Sequence, residues 1–271
     1  MNELTAKDEN LLQKIHDQPE LAGLFFRKAK SLKWFNHLKK NGYFDPNTLS
    51  GPQPVDDHDD RVRIPAWLPL EYLSNTVKDA SAEGNEEYAN AFLNIIEALT
   101  IYAQEHGLEN YQVWWRFASI LASLPTKLVE KKHIKLAEYW LSDRFDRSLV
   151  ARELGKKWLP DLLDAGDEHS LSIAEELLAV LLRVECQKDS TQSDVCSFFF
   201  DSYHADEFIR GALYQCGVKL GHNALVIIDT SLRHVLAVLD NDKWSAVWQP
   251  AIEDHDQNRY YESAENLLVL G

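Results

Sequence analysis

An all-α fold is predicted for this chain, built from antiparallel helix pairs with one long N-terminal loop. Two observations predict it. Apolar residues recur at helical spacing along almost the whole sequence, and no stretch is rich in strand patterns. The helical patterns are also broken, pair by pair, by Gly, Pro and Asn.

Leu11, Leu12 and Ile15, then Leu21, Leu24 and Phe25, mark two short helices broken near Pro19. Ser31 to Lys40 makes a third, stopped by Asn41-Gly42. Tyr43 to Pro65 reads as a single irregular loop because it holds Pro46, Pro52, Pro54, Pro65 and Gly51. Loops this long in compact domains usually carry a function or move. Pro69 sits in the first turn of a helix reaching about Ala82. After Gly84-Asn85, residues Glu86 to His106 form a strong helix with Tyr88, Phe92, Ile95, Ile96, Leu99 and Tyr102 at helical spacing, closed by Gly107. The next helix runs from about Asn110 to Ser123 and is broken by Pro125. Thr126 caps one to about Leu141, another starts at Asp146 or Ser148 and stops at Gly166, and Leu171 to Glu185 follows. Lys188 to Ser197 is polar and marks a boundary. Beyond it Tyr203 to Gly217 and Asn223 to Leu239 pair around Gly221, and a last helix from near Gln257 is still apolar at Leu267 to Leu270.

Helix pairs at this spacing predict a HEAT- or armadillo-like α-solenoid, without a strict sequence period. Three regions are expected: 1–66, short helices with the proline-rich acidic loop; 67–187, the helical-repeat core; and 198–271, C-terminal repeats. A solenoid closes its ends with a polar face. The apolar end at Leu270 is therefore read either as a cut or as a docking end.

The formal net charge is −15, which repels nucleic-acid phosphates. Two local clusters run against it, Arg27, Lys28, Lys30, Lys33, Lys39 and Lys40, and Lys127, Lys131, Lys132 and Lys135. They are read first as solvated helix faces. Nucleic acid is not the expected partner of this chain alone. The three cysteines, Cys186, Cys196 and Cys216, form no C-x-x-C pair, which argues against a disulfide framework or thiolate zinc site and fits a reducing cytoplasm. Asn2 to Glu20 lacks the apolar run of a signal peptide, and no segment reaches the length of a membrane span.

There is no G-x-S-x-G, no G-x-x-x-x-G-K-[ST] and no G-x-G-x-x-G, so no catalytic residue or cofactor is expected from motif. Asp56-Asp57-His58-Asp59-Asp60 has the ligand types for a cation. It lacks the alternation and glycine turn of an EF-hand, so a solvated acidic loop without metal is favoured. His-Asp pairs occur at His16-Asp17, His58-Asp59 and His255-Asp256. All-helical metal phosphohydrolases use such a pair inside a buried helix, completed from other helices. With His133, His204 and Asp206, or His234 as completing groups, a metal-dependent phosphohydrolase is the enzyme alternative.

Trp114 and Trp115 are adjacent, so on a helix they point in different directions. One is expected in the core; Trp115 is the candidate anchor for a partner. Trp34, Phe35, Tyr43, Phe44 and Trp67 are read mainly as packing that pins the long loop to the helices. The candidate partner-binding set is Trp115, Tyr43, Phe44, Asp56, Asp57, Asp59 and Asp60.

Two stretches carry a resemblance. One runs from Trp34-Phe35 through Gly42-Tyr43-Phe44-Asp45-Pro46 to Ile64-Pro65-Ala66-Trp67-Leu68-Pro69-Leu70-Glu71-Tyr72-Leu73; the other is Trp248-Gln249-Pro250-Ala251-Ile252-Glu253-Asp254-His255-Asp256-Gln257-Asn258. Both resemble the helical regions of large bacterial multidomain proteins that carry a STAND-type NTPase or an effector domain and look like anti-phage defence components. The resemblance implies a non-catalytic scaffold or sensor in the cytoplasm, with its oligomeric state left open. Its protein partner would be an NTPase, an effector or a phage protein. It carries over no catalytic residue.

Overall fold

Thr5 opens the fold by capping its first helix. Its hydroxyl accepts from the Asp8 backbone N–H at 3.3 Å, and the Asp8 carboxylate accepts from the Thr5 N–H at 2.9 Å. The same carboxylate takes Lys33 Nζ at 2.9 Å. The Thr5 amide and then the lysine hold the Asp8 carboxyl at about 2. In the computed structural model, residues 4–55, 58–108, 110, 112–142, 147–186 and 218–221 are described. They divide into two compact units, residues up to Val129 and residues from Glu130.

The first unit contains α1 (Ala6–Asp17), α2 (Pro19–Lys28), α3 (Phe35–Lys40), β1 (Gln53–Val55), β2 (His58–Arg63), α4 (Pro69–Ala80), α5 (Glu86–His106) and α6 (Trp114–Ser123). Helix α4 packs against α2, α5 and α6. Its buried face carries Pro69, Leu70, Tyr72, Leu73, Thr76, Val77 and Ala80. Tyr72 is fully buried, and its hydroxyl donates to the Ser31 carbonyl at 3.0 Å. Phe44 stacks on its ring at 6.2 Å, and Phe35 stacks on Phe44 at 5.4 Å. Burial pushes the Tyr72 phenol above its ordinary range. Polar side chains then tie α4 to its neighbours. The Asn75 amide donates to the Arg27 carbonyl at 3.2 Å, at the end of α2. Arg116 on α6 meets Glu71 at 2.6 Å, and the Ser81 hydroxyl donates to the Ser123 carbonyl at 2.7 Å.

Several element ends follow the sequence closely. α5 spans the expected Glu86–His106, and Gly107 closes it in the left-handed conformation (φ 59°). Gly42 also stands left-handed (φ 74°), and a Cβ there would lie 2.8 Å from Asp45 Oδ2. Other expectations need correction. The segment expected as one irregular loop, Tyr43 to Pro65, contains a 3₁₀ turn (Pro46–Thr48) and an antiparallel hairpin, β1–β2. Prolines are compatible with it because a two-stranded ribbon leaves both outer edges unpaired, where a missing N–H costs no ladder bond. The helix expected from Asn110 begins at Trp114, because Asn110 turns its side chain back onto Ser50. Thr126 starts a 3₁₀ turn (Thr126–Leu128) instead of capping a long helix. Ser31, Phe44 and Arg27, all before residue 67, pack on α4. The division falls at Val129–Glu130, inside the region expected as the repeat core.

The second unit contains α7 (Lys131–Ser142), α8 (Arg147–Ala151), α9 (Leu159–Ala165) and α10 (Glu168–Cys186). α10 packs on α7 and α9. Between α8 and α9 the chain is a π-helix, Arg152–Trp158, in which the Leu159 N–H bonds the Leu154 carbonyl five residues back. Pro160 follows directly. It has no N–H for the residue-156 carbonyl, and the wider turn separates its ring from the preceding backbone. Gly166 ends α9 left-handed (φ 68°), as its position predicts. Glu153, 5% exposed, is held by Lys157 Nζ at 2.6 Å. The expected 198–271 repeats lie outside the described residues apart from 218–221.

Truncation of Tyr72 tests the α4 core. Tyr72→Ala is expected to lower stability by about 3–5 kcal/mol and Tyr72→Phe by about 1 kcal/mol, read by urea unfolding. Equal, small losses for both would show that the ring stack carries no weight.

Candidate functional site

The hairpin is held at its roots by side chains distant in sequence. On the entering side, the Thr48 hydroxyl donates to the Asp45 carbonyl at 2.6 Å and accepts from Trp67 Nε1 at 2.9 Å. Trp67 is itself fixed, 5% exposed and edge-on to Phe117 at 6.0 Å. Leu49 is buried, and Gly51 lies so close to Leu108 that a Cβ would sit 3.2 Å from its Cδ2. The segment between α5 and α6 then grips both strands. Asn110 Nδ2 donates to the Ser50 carbonyl at 3.0 Å, just before β1; Gln112 Nε2 donates to the Ile64 carbonyl at 3.4 Å, just after β2. Asn110 is fully buried, and among the described residues its Oδ1 has no partner. Leaving a buried acceptor unmatched costs about 1–3 kcal/mol, so this residue is held where it is by the bond it does make.

Beyond those roots the hairpin leaves the core. Gln53 pairs with Arg63, Pro54 with Val62 and Val55 with His58, with an irregularity between Pro54 and Val55. Gln53, Pro54 and Val55 are all exposed. Among the described residues no third strand joins the sheet, so both outer edges keep free backbone groups. The arrangement suits recognition: an exposed strand, followed in sequence by an Asp-rich run, on a fixed base.

The candidate residues from sequence are distributed as follows. Asp59 and Asp60 lie on β2; their side chains, like Asp56 and Asp57, lie outside the described residues. Tyr43 is half-buried with its ring edge-on to Phe26 at 5.5 Å, and burial raises its phenol. Phe44 is a correction: only 5% exposed, it packs between Phe35 and Tyr72 and offers no surface to a partner. Of the two tryptophans, Trp114 is core at 1% exposure, and Trp115 is half-buried with the Arg116 guanidinium 5.3 Å from its ring centre. Sequence reading missed Asn110 and Gln112. Their signal was two amide side chains at the head of an otherwise apolar helix pattern, where caps and loop ties are common.

The groups considered for metal chemistry do not converge among the described residues, where no set of three His, Cys, Asp or Glu could hold an ion. His16 and Asp17 are exposed at the end of α1. His133 is 4% exposed, and its Nδ1 accepts the Glu130 N–H at 2.9 Å, capping α7. That bond places the ring proton on Nε2. His204, Asp206, His234, His255 and Asp256 lie outside the described residues, as do Cys196, Cys216 and the side chain of Cys186. No helix among the described residues is long and apolar enough to cross a membrane.

Comparison of the chain with protein-family models, with curated proteins and with solved structures returns no match.

The paired clamp gives a direct expectation. Asn110→Ala with Gln112→Ala removes the donors on both sides of the ribbon, so limited proteolysis is expected to cut faster within residues 46–64. The stability loss is about 1–3 kcal/mol. Unchanged cleavage would mean that these amides do not hold the hairpin.

Proposed function

We propose that this chain is a non-catalytic protein-recognition module whose contact element is the hairpin Gln53–Arg63. The observation that carries the reading is the double clamp: Asn110 and Gln112 fix Ser50 and Ile64, while the strand between them stays exposed. Fixing a ribbon that contributes little to the core reduces the ordering cost of binding through it. The free strand edges supply backbone donors and acceptors, and the Asp56 to Asp60 run supplies charge selectivity.

The solenoid reading belongs to the same proposal. Within the first unit α4 packs against α2, α5 and α6, and this packing of helix against helix supports the reading. We assign the module, on the resemblance of its two motif stretches, to a cytoplasmic bacterial anti-phage defence assembly in which an NTPase, an effector or a phage protein is the partner. Trp115, half-buried on α6 beside Arg116, is its second candidate contact.

The test replaces Gln53–Arg63 by Gly-Gly and compares capture from the native host, with and without phage challenge, by mass spectrometry. The full chain is expected to retain a stoichiometric partner. The variant is expected to lose it while its thermal midpoint stays within a few degrees. A variant that keeps the partner removes the hairpin from the reading.

A further inference from the structure

We propose that Arg27, Lys28, Lys30, Lys39 and Lys40 form, around Tyr43, a docking face for a short acidic polypeptide segment of a partner protein. The proposal rests on the reading of the chain as a protein-recognition module but uses another face and names its partner's chemistry. The sequence isolates the cluster: from Leu21 to Phe44 there are six Lys and Arg, and all 43 Asp and Glu of the chain lie elsewhere. Folding then spends only one of the six. Lys33 pairs with Asp8 at 2.9 Å and lies 4.3 Å over the Trp34 ring. The other five are exposed and make no ion pair among the described residues.

The fold brings the end of α2 and the end of α3 to Tyr43, and Lys30 stands two residues beyond Lys28. Arg27 and Lys28 follow Phe26, whose ring meets Tyr43 at 5.5 Å. Lys39 and Lys40 end α3 just before Tyr43, whose N–H bonds back to the Leu38 carbonyl at 3.1 Å. Asn75 fixes the Arg27 carbonyl, so the backbone under the patch is anchored to α4. Cations in a last helical turn complement the helix dipole, which accounts for Arg27, Lys28, Lys39 and Lys40. It does not account for Lys30, beyond the end of α2, or for the absence of every acid over this stretch.

The class of partner follows from the remaining charge. A long polyanion, whether nucleic acid or an anionic membrane, would extend past the patch onto the acidic rest of a chain of net charge −15. Charges closer than the Debye length of about 8 Å in physiological salt repel it there. A short acidic segment covers the patch, whose border carries the Asp45 carboxylate beside Gly42, and the half-buried Tyr43 ring gives it an apolar contact beside the charges.

The experiment is fluorescence anisotropy of the full chain with a short labelled Asp/Glu-rich peptide, and in parallel with a labelled single-stranded DNA. Salt-sensitive peptide binding is expected, weakened about tenfold by Lys39→Glu with Lys40→Glu, as roughly 1.4 kcal/mol of lost attraction gives. The exposed position of both lysines leaves folding unchanged, checked by circular dichroism. The Gly-Gly hairpin variant is expected to bind the peptide like the parent, so failure of the hairpin reading and failure of this one are told apart. No peptide binding, equal binding by the charge-reversed variant, or tighter binding of the DNA would overturn the proposal.

Discussion

Burial of one face of α4 is the constraint on which the described N-terminal unit depends. Tyr72 and Leu73 have no exposed surface, and the helices on three sides meet there. Burying a large aromatic ring removes about 150–250 Å² of surface, but its hydroxyl must then find a partner in the interior. Ser31 supplies it, and that bond sets where the chain between α2 and α3 runs. The stack Phe35–Phe44–Tyr72 then fixes the start of the following segment. A single helix face therefore positions residues spread from Ser31 to Phe117.

The hairpin follows from this arrangement. Trp67 lies just before α4, so packing the helix also places the indole N–H against Thr48. The Asn110–Gln112 segment enters α6, which is tied to α4 through Arg116 and Glu71. Both clamps are thus side effects of elements held for other reasons. The ribbon has a fixed base without needing a core of its own, which a lone two-stranded hairpin in water cannot provide. The basic face around Tyr43 has the same origin, because Phe26 and Tyr43 are brought together by packing beneath them.

Helices were legible in the sequence wherever apolar periodicity coincided with a stop residue. Glu86 to His106 is the clearest case: its buried positions Phe92, Ile95, Ile96 and Leu99 are the periodic ones, and Gly107 supplies the left-handed end. The hairpin was not legible. Pro52 and Pro54 signal a break in any local reading, and the bonds that order this stretch come from residues about fifty positions away. The burial of Phe44 was hidden for the same reason, since only tertiary contact with Tyr72 separates it from the neighbouring, half-buried Tyr43. The π-helix likewise gives no periodic sign; Gly155 and Pro160 mark a weak helix, not its wider turn. The candidate site was therefore half legible: its acidic composition stood in the sequence, its clamp did not.

The most direct measurement is hydrogen exchange of the intact chain, followed residue by residue through residues 43–64. The Thr48 and Leu49 amides bond to the Asp45 and Pro46 carbonyls at 2.9 and 3.1 Å. They are expected to exchange slowly, alongside the amides of α4, although they sit in a proline-rich connection. Exchange of Thr48 and Leu49 at the rate of an unstructured peptide would contradict a clamped base and, with it, the presentation of the hairpin as a fixed recognition element.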